Sequence, residues 1–147
     1  MVRASLFLTN LILAGCLFGC QSIGVGDPCR PESVPTNGTM LPGFRDSEAY
    51  LETSSVQCRT RVCIVNRING DPNVVCDGSS TQPANCVNAA DIEARVYCTC
   101  RCDGPPGTAE FCECPEGFVC DPVIKSGGAG IQGSYCVRAG TETGGEG

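Results

Sequence analysis

The chain has 147 residues, of which 14 are cysteine and none is histidine or tryptophan. This cysteine content is typical of a short secreted protein held by disulfides, and the absence of histidine excludes catalytic triads and metal sites that need imidazole. Acidic residues outnumber basic residues by 16 to 10, and the resulting net charge of −6 disfavours binding to a nucleic-acid backbone. We therefore expect no nucleic-acid partner, no cofactor, no bound metal and no catalytic residues.

Residues 1–20 predict an export signal with a lipid-attachment site. Arg3 precedes an apolar run, residues 4–13, which is too short and too polar in its middle to span about 30 Å of hydrocarbon. The following Leu13-Ala14-Gly15-Cys16 resembles the lipobox of bacterial lipoproteins, in which the thiol receives a diacylglyceryl group bearing fatty acids such as palmitate before cleavage. Two acyl chains on one thiol anchor a protein stably to a membrane, so we expect the membrane to be a partner.

A second attachment site is offered by Leu17-Phe18-Gly19-Cys20. Phe18 is bulkier than the lipobox pattern favours, but the number of cysteines supports this alternative. Attachment at Cys20 leaves the 12 cysteines that follow, an even number, whereas attachment at Cys16 leaves 13. We favour Cys16 on motif quality, with a signal peptide over 1–15, or 1–19 in the alternative. Secretion without a lipid is a third interpretation.

Residues 16–57 are predicted to be a tether and loop region. After Cys20 this region contains a single cysteine, Cys29, which we expect to be joined to the folded domain by a disulfide. Turn-forming residues punctuate the rest of the region, among them Pro31, Pro35, Pro42 and Asn37-Gly38.

A cysteine-rich, disulfide-stapled domain is predicted over residues 58–138. Its first segment, VQCRTRVCIV at 56–65, is rich in β-branched residues and predicts a strand. A turn follows, and 73–76 could return as a second strand. Residues 88–95 predict a short helix, with Asn88 as its cap.

Residues 95–114 give the clearest local prediction, a hairpin with alternating cysteines. Three cysteines share one face of the first strand, DGPPG at 103–107 turns the chain, and two cysteines share a face of the return strand: Cys98, Cys100, Cys102, Cys112 and Cys114. Cysteines two positions apart on a strand have Cα atoms about 6.5 Å apart, which combines poorly with disulfide torsions. We therefore expect their bridges to cross the hairpin or to reach other segments.

The last part of the chain predicts a third hairpin, in which 117–120 pairs with 134–137 across a glycine-rich link, followed by a disordered tail over 139–147. The fold class that follows is small, disulfide-rich and mainly β, with short hairpins, at most one short helix and a long N-terminal tether. We expect up to six bridges among the twelve cysteines of this region, which are Cys29, Cys58, Cys63, Cys76, Cys86, Cys98, Cys100, Cys102, Cys112, Cys114, Cys120 and Cys136.

Three chemical alternatives compete with a purely structural role. The five clustered thiols of residues 98–114 could hold Zn²⁺ or Cu⁺ as thiolates, although an exported protein meets an oxidising compartment that favours disulfides. Carboxylates could in principle hydrolyse a glycosidic bond, but those close in sequence, Glu110, Glu113, Glu116 and Asp121, are expected to be charged surface residues near turns. Three arginines around one hairpin, Arg59, Arg61 and Arg67, could form a small anion-binding patch.

Several motifs in chain order resemble the cysteine-rich lipoproteins of myxobacterial type. They are the lipobox, Gly26-Asp27-Pro28-Cys29, Cys58-x₄-Cys63-Ile64-Val65, Val96-Tyr97-Cys98-x-Cys100-x-Cys102, Cys114-Pro115-Glu116-Gly117-Phe118-x-Cys120 and Tyr135-Cys136. The resemblance implies an exported, lipid-anchored protein of the bacterial cell envelope, most simply of the outer membrane, and transfers no active site.

Three functions are compatible with these features. The first is a non-enzymatic envelope module that binds an unknown protein or envelope ligand or acts as a structural part of the surface. The second is a secreted inhibitor-like or toxin-like module that presents a constrained loop such as 103–108. The third is a thiolate metal-binding protein.

Overall fold

The computed structural model describes residues 24–36, 41–107 and 110–142. It confirms a small, disulfide-rich, mainly β fold with two antiparallel three-stranded sheets and one short helix. The elements in chain order are β1 (Ala49–Glu52), β2 (Val62–Asn66), α1 (Ala89–Arg95), β3 (Val96–Thr99), β4 (Arg101–Asp103), β5 (Phe118–Ile124) and β6 (Gly133–Arg138).

The first sheet has the order β1-β2-β3 and separates two apolar cores. In its centre Cys63 lies opposite Cys98, and Ile64 lies opposite Tyr97. Because successive side chains of a strand point to opposite faces, these two pairs contribute to different sides of the sheet. Every residue of β3 is buried, as expected for a strand covered on both faces.

The larger core lies on the cysteine side of the first sheet. Its buried members come from the N-terminal segment, the loops before and after β2, and the sheet itself: Cys29, Phe44, Cys58, Cys63, Val65, Ile68, Val87, Val96 and Cys98. The smaller core lies between the two sheets and consists of Ile64, Tyr97 and Val137, with Leu51, Phe118, Val119 and Val123 packed against them.

The second sheet has the order β4-β6-β5, with β6 in the centre. Val119 lies opposite Val137 and Cys120 opposite Cys136, so the third predicted hairpin is confirmed. Gly133, with φ of +140°, begins β6 where the strand passes close to the Asp103 backbone.

The strand predicted over 56–65 begins only at Val62. Arg61 has φ of +64°, and its N–H donates to the Cys58 carbonyl at 3.0 Å, so a turn ends just before β2. The predicted return strand at 73–76 was wrong. Val75 forms only an isolated parallel bridge with Val87, while β1 and β3 take both edges of β2.

The region predicted to be a tether and loop contributes to the fold from Gly24 onward. The Gly26 N–H donates to the Cys98 carbonyl and the Cys98 N–H donates to the Asp27 carbonyl, each at 2.8 Å, so this segment lies along β3. Phe44 is buried in the larger core, and β1 is also part of this region. The described residues of this region, 24–36 and 41–57, therefore pack with the cysteine-rich part of the chain.

The C-terminal segment is ordered further than predicted. The Asn66 side-chain amide donates to the Thr141 carbonyl at 3.0 Å and to its Oγ1 at 3.2 Å. Residues 143–147 of the predicted tail lie outside the described residues. Helix α1 follows Asn88 as predicted, but the Asn88 side chain makes no capping bond to the backbone. Within the described ranges no helix combines the length and apolar character that crossing a bilayer requires.

Candidate functional site

Six disulfides join all twelve cysteines between Cys29 and Cys136. The pairs are Cys29–Cys63, Cys58–Cys98, Cys76–Cys86, Cys100–Cys112, Cys102–Cys120 and Cys114–Cys136. No bridge joins cysteines two positions apart, in line with the geometric argument from strand spacing. Cys16 and Cys20, the two candidates for lipidation, lie outside the described residues.

The alternating cysteines of residues 98–102 belong to two different sheets, which corrects the hairpin predicted over 95–114. Cys98 ends in the larger core through its bridge to Cys58, whereas Cys102 lies on β4 of the second sheet. Residues 112 and 114 form no return strand. The returning chain contacts β4 through one backbone hydrogen bond, which the Cys112 N–H donates to the Arg101 carbonyl at 3.0 Å.

Sulfur atoms on and beside β4 and β6 form a continuous cluster. We call it the sulfur cluster and define it as Cys100, Cys102, Cys112, Cys114 and Cys136. Within it, the Sγ atom of Cys136 lies 3.8 Å from that of Cys100 and 3.8 Å from that of Cys112. The Sγ atoms of Cys102, Cys114 and Cys136 also lie within 4.8 Å of one another. Cys136 belongs to both groups and is fully buried.

A cleft of about 300 Å³ opens over one edge of the sulfur cluster. Its walls include Thr60, just before β2, and Val62, at the beginning of β2, together with the Cys100–Cys112 bridge and Tyr135 of β6. Arg101 also lines the cleft, where its guanidinium donates to the Ala129 carbonyl at 2.9 Å and lies 5.4 Å from the Phe111 ring centroid. The cleft therefore brings a disulfide, a cation and a carboxylate, that of Glu110, to one accessible place.

A second, apolar groove of about 370 Å³ runs beside α1. Pro28, Val75, Ile92 and Val96 line it, and Arg30 and Gln57 add polar groups to the lining. The Arg30 N–H donates to Gln57 Oε1 at 3.1 Å, and Gln57 Nε2 donates back to the Arg30 carbonyl at 2.7 Å. This reciprocal pair of hydrogen bonds holds Arg30 and Gln57 together in the lining. The volume of the groove is in the range of small-molecule pockets.

The proposed arginine patch is not assembled by the described residues. Arg59 and Arg61 are exposed, and Arg67 instead lines a polar depression of about 230 Å³ with Arg95 and Thr141. Two carboxylates, Asp46 and Glu142, line the same depression, so its formal charges balance. An arrangement with equal numbers of cations and anions gives no preference for an anionic ligand.

Three of the four carboxylates considered for catalysis, Glu110, Glu113 and Glu116, are exposed as expected. Asp121 differs, since it is only 7 % exposed and lies opposite Tyr135 in the sheet. It follows Cys120 along β5, and the alternation of the strand turns it inward where Cys120 is exposed. The sequence could have indicated that Asp121 points inward only if the position of β5 had already been known.

Arg138 was not identified from sequence but organises the contact between the two sheets. Its guanidinium carbon lies 5.2 Å from the Tyr97 ring centroid and 5.1 Å from that of Phe118, and the two rings meet edge to face at 5.4 Å. The Arg138 backbone N–H donates to the Tyr97 hydroxyl at 2.8 Å. Burial raises the pKa of Tyr97 above its ordinary value of 10.0, and this hydrogen bond opposes the shift.

Comparisons with known proteins add no family to these observations. No family model, curated protein or solved structure matches the chain.

Proposed function

We propose that this protein is a non-enzymatic module of the bacterial cell envelope, exported and anchored through a lipid on Cys16 or, alternatively, Cys20. The observation that carries the proposal is the complete pairing of the twelve cysteines from Cys29 to Cys136. Disulfides persist in oxidising compartments outside the cytoplasm, which supports export. The lipobox Leu13-Ala14-Gly15-Cys16 supplies the reason for membrane attachment.

A binding or structural role is favoured over catalysis by the chemistry that the chain offers. A cysteine in a disulfide is neither a nucleophile nor a thiolate ligand, and the chain contains no histidine to act as a base near neutral pH. Six crosslinks supply the rigidity that a chain with few aromatic residues lacks in its core. A rigid scaffold with small, open cavities fits display of a surface better than turnover of a substrate.

Membrane partition and mass spectrometry of protein from the native envelope test the proposal together. We expect the protein to sediment with membranes, to be released by detergent, and to carry acyl chains on its first mature cysteine. The double variant Cys16→Ser/Cys20→Ser should fail to be processed or move to the soluble fraction, while Ser22→Ala serves as a matched control. Wild-type protein that is soluble after export, with a free N-terminus, overturns the anchor.

An inhibitor-like role is the second candidate, and the loop after β4 favours it. The Cys100–Cys112 bridge closes the segment that contains this loop, and Cys102–Cys120 fastens its beginning to β5. Such a constrained, exposed loop is the form in which small disulfide-rich proteins enter the clefts of other proteins. Replacement of 103–108 by a glycine-serine linker should then abolish inhibition in a panel of serine proteases. If the intact domain inhibits none of them, this candidate fails.

Thiol counting separates both candidates from the thiolate metal-binding alternative. Protein extracted without reductant should show no reactive thiol among residues 29–136. Twelve reactive thiols with bound zinc or copper would instead support the metal-binding function.

A further inference from the structure

The sulfur cluster is arranged so that two of its disulfides can exchange partners. Cys136 Sγ is 3.8 Å from both sulfur atoms of the Cys100–Cys112 bridge, which is close to van der Waals contact. Cys136 is itself bridged to Cys114, so two disulfides touch through a buried sulfur atom. Thiol–disulfide exchange needs a thiolate next to a disulfide sulfur, and cleavage of either bridge creates this situation.

The backbone is already placed for a new bridge between Cys100 and Cys136. Arg101 on β4 lies opposite Tyr135 on β6, so Cys100 and Cys136 are the next facing positions of the antiparallel pair. The Cys136 N–H donates to the Cys100 carbonyl at 3.1 Å, which is one of the two bonds that a hydrogen-bonded pair of facing residues exchanges. Such pairs have Cα atoms about 5.5 Å apart, within the range that a disulfide spans.

Access to the two bridges differs between their ends. Cys112 and Cys114 are half-buried, whereas Cys100 is 9 % exposed and Cys136 is not exposed at all. The cleft beside Arg101 opens onto the Cys100–Cys112 bridge. A thiolate from outside therefore reaches Cys112 most readily, and the positive guanidinium in the cleft favours its approach.

We propose that a dithiol reduces the sulfur cluster by two electrons and that the two bridges then exchange partners. The two new thiols are those of Cys112 and Cys114, which are half-buried. One thiolate of the reagent attacks Cys112 Sγ, the Cys100–Cys112 bond breaks, and Cys100 leaves as a thiolate. The second thiol of the reagent loses its proton and attacks the mixed disulfide, which releases the reagent as a cyclic disulfide and Cys112 as a thiol.

The Cys100 thiolate then attacks Cys136 Sγ. The Cys100–Cys136 bond forms, the Cys114–Cys136 bond breaks, and the Cys114 thiolate takes a proton from water. The dithiol has lost two electrons and two protons, and the protein has gained two thiols while one bridge replaces two. Since Cys136 is equally distant from Cys100 and Cys112, it lies beside their bond, and side-chain rotation must bring it into line with the attacking thiolate.

The product of the exchange and the product of simple reduction expose different thiols. Exchange leaves a buried Cys100–Cys136 bridge and a Cys112-Glu113-Cys114 dithiol on half-buried positions. Simple reduction of one bridge leaves thiols at Cys100 and Cys112, or at Cys114 and Cys136. The two outcomes are distinguished by the positions of a thiol label and by one new crosslink.

Limited reduction of the folded, oxidised protein with dithiothreitol, followed by thiol blocking and peptide mapping, tests the proposal. Cleavage after arginine, lysine and glutamate separates Cys112 from Cys114, because Glu113 lies between them. Some molecules will carry a label on a cysteine of the Cys100–Cys112 or Cys114–Cys136 bridge. We expect most of these molecules to be labelled at both Cys112 and Cys114. Peptides 96–101 and 126–138 should then be joined directly. Labels that occur only as the native pairs overturn the proposal.

The variant Cys114→Ser provides a second test, since it leaves the Cys136 thiol beside an intact bridge. We expect the free thiol to move to Cys112, with a Cys100–Cys136 bridge formed without added reductant. Cys76→Ser is the matched control. Cys76 and Cys86 are not among the described cysteines whose sulfur atoms cluster, so its free thiol should stay on Cys86. A label that stays on Cys136 in folded Cys114→Ser protein contradicts the exchange, whether or not the protein is lipid-anchored.

Discussion

Gly70 lies where two loop segments approach each other closely. It has φ of +117°, and a Cβ atom there would lie 2.6 Å from the Asn85 carbonyl oxygen and 2.9 Å from Val87. The Phe44 N–H donates to the Gly70 carbonyl at 2.8 Å and the Gly70 N–H donates to the Phe44 carbonyl at 3.1 Å, so a shift of this backbone strains both bonds. We expect Gly70→Ala to lower the free energy of unfolding by about 2–4 kcal/mol, as measured by denaturant titration.

Gly78→Ala is the control for this substitution. Gly78 also has a positive φ, +77°, but nothing lies within 4 Å of a Cβ atom built there. The substitution should lower the free energy of unfolding by only about 1 kcal/mol, which is the cost of placing alanine in a left-handed conformation. Equal losses of unfolding free energy in the two variants would mean that the close contact with Asn85 does not add to the destabilisation in Gly70→Ala.

The three tyrosines report burial through their titration. Burial raises the pKa of Tyr50, Tyr97 and Tyr135 above 10.0, and for Tyr50 the neighbouring Glu52 carboxylate raises it further. In the unfolded chain the phenols ionise near 10, so the native state holds their protons longer. The stability that this contributes is present below pH 10 and is lost as the pH rises through the folded pKa values.

Tyrosinate absorbance measures this directly, because the chain has no tryptophan to interfere. We expect the native protein to titrate at higher pH than the reduced, denatured chain. A native curve that overlays the denatured one contradicts the burial of these rings.

At the scale of elements, β6 holds the second sheet together. Val137 is fully buried at the centre of the smaller core between the sheets. Removal of its two methyl groups in Val137→Ala should destabilise the protein by about 2 kcal/mol, measured by thermal or denaturant unfolding. Val56→Ala removes the same atoms from a side chain that is 72 % exposed, so its stability should be unchanged. A loss of stability in Val56→Ala as large as in Val137→Ala would contradict the position of Val137 in the core.

The elements that were predictable from sequence are those with local signals. The β5–β6 hairpin has alternating apolar residues on both sides of a glycine-rich link, and α1 follows Asn88. Strand β1 has only the residues AYLE, and its place is set by pairing with β2 rather than by its own pattern. Cysteine alternation correctly excluded bridges two positions apart, but it did not show that the chain passes from one sheet to the other at Cys100.

At the scale of the whole molecule, the bridges differ in their protection from reductant. The four cysteines of Cys29–Cys63 and Cys58–Cys98 are 0–4 % exposed, whereas Cys120 is exposed and Cys76, Cys86 and Cys102 are half-buried. We expect the two buried bridges to be reduced last, together with loss of the near-ultraviolet circular dichroism signal. Stepwise reduction with label mapping measures the order. Early labelling of Cys63 or Cys98 in protein that keeps its signal contradicts it.

The connectivity of the six bridges could not be predicted, because many pairings are compatible with twelve cysteines in one sequence. Participation could be predicted, since an even number of cysteines in an exported chain favours complete pairing. The sulfur cluster depends on the relative placement of β4 and β6, whose residues are more than 30 positions apart. Nothing local in the sequence specifies that contact.

If the protein is lipid-anchored as proposed, the attachment of residues 24–29 along β3 limits the distance between the domain and the membrane. If Cys16 carries the lipid, eight residue steps separate it from Gly24, and a fully extended chain covers at most about 29 Å over that length. With Cys20 the limit falls to about 14 Å. The domain would therefore be held at the height of the lipid headgroups or just above them, within reach only of ligands that come to the bilayer surface. Its effective concentration there would be set by the two-dimensional density of the anchored protein.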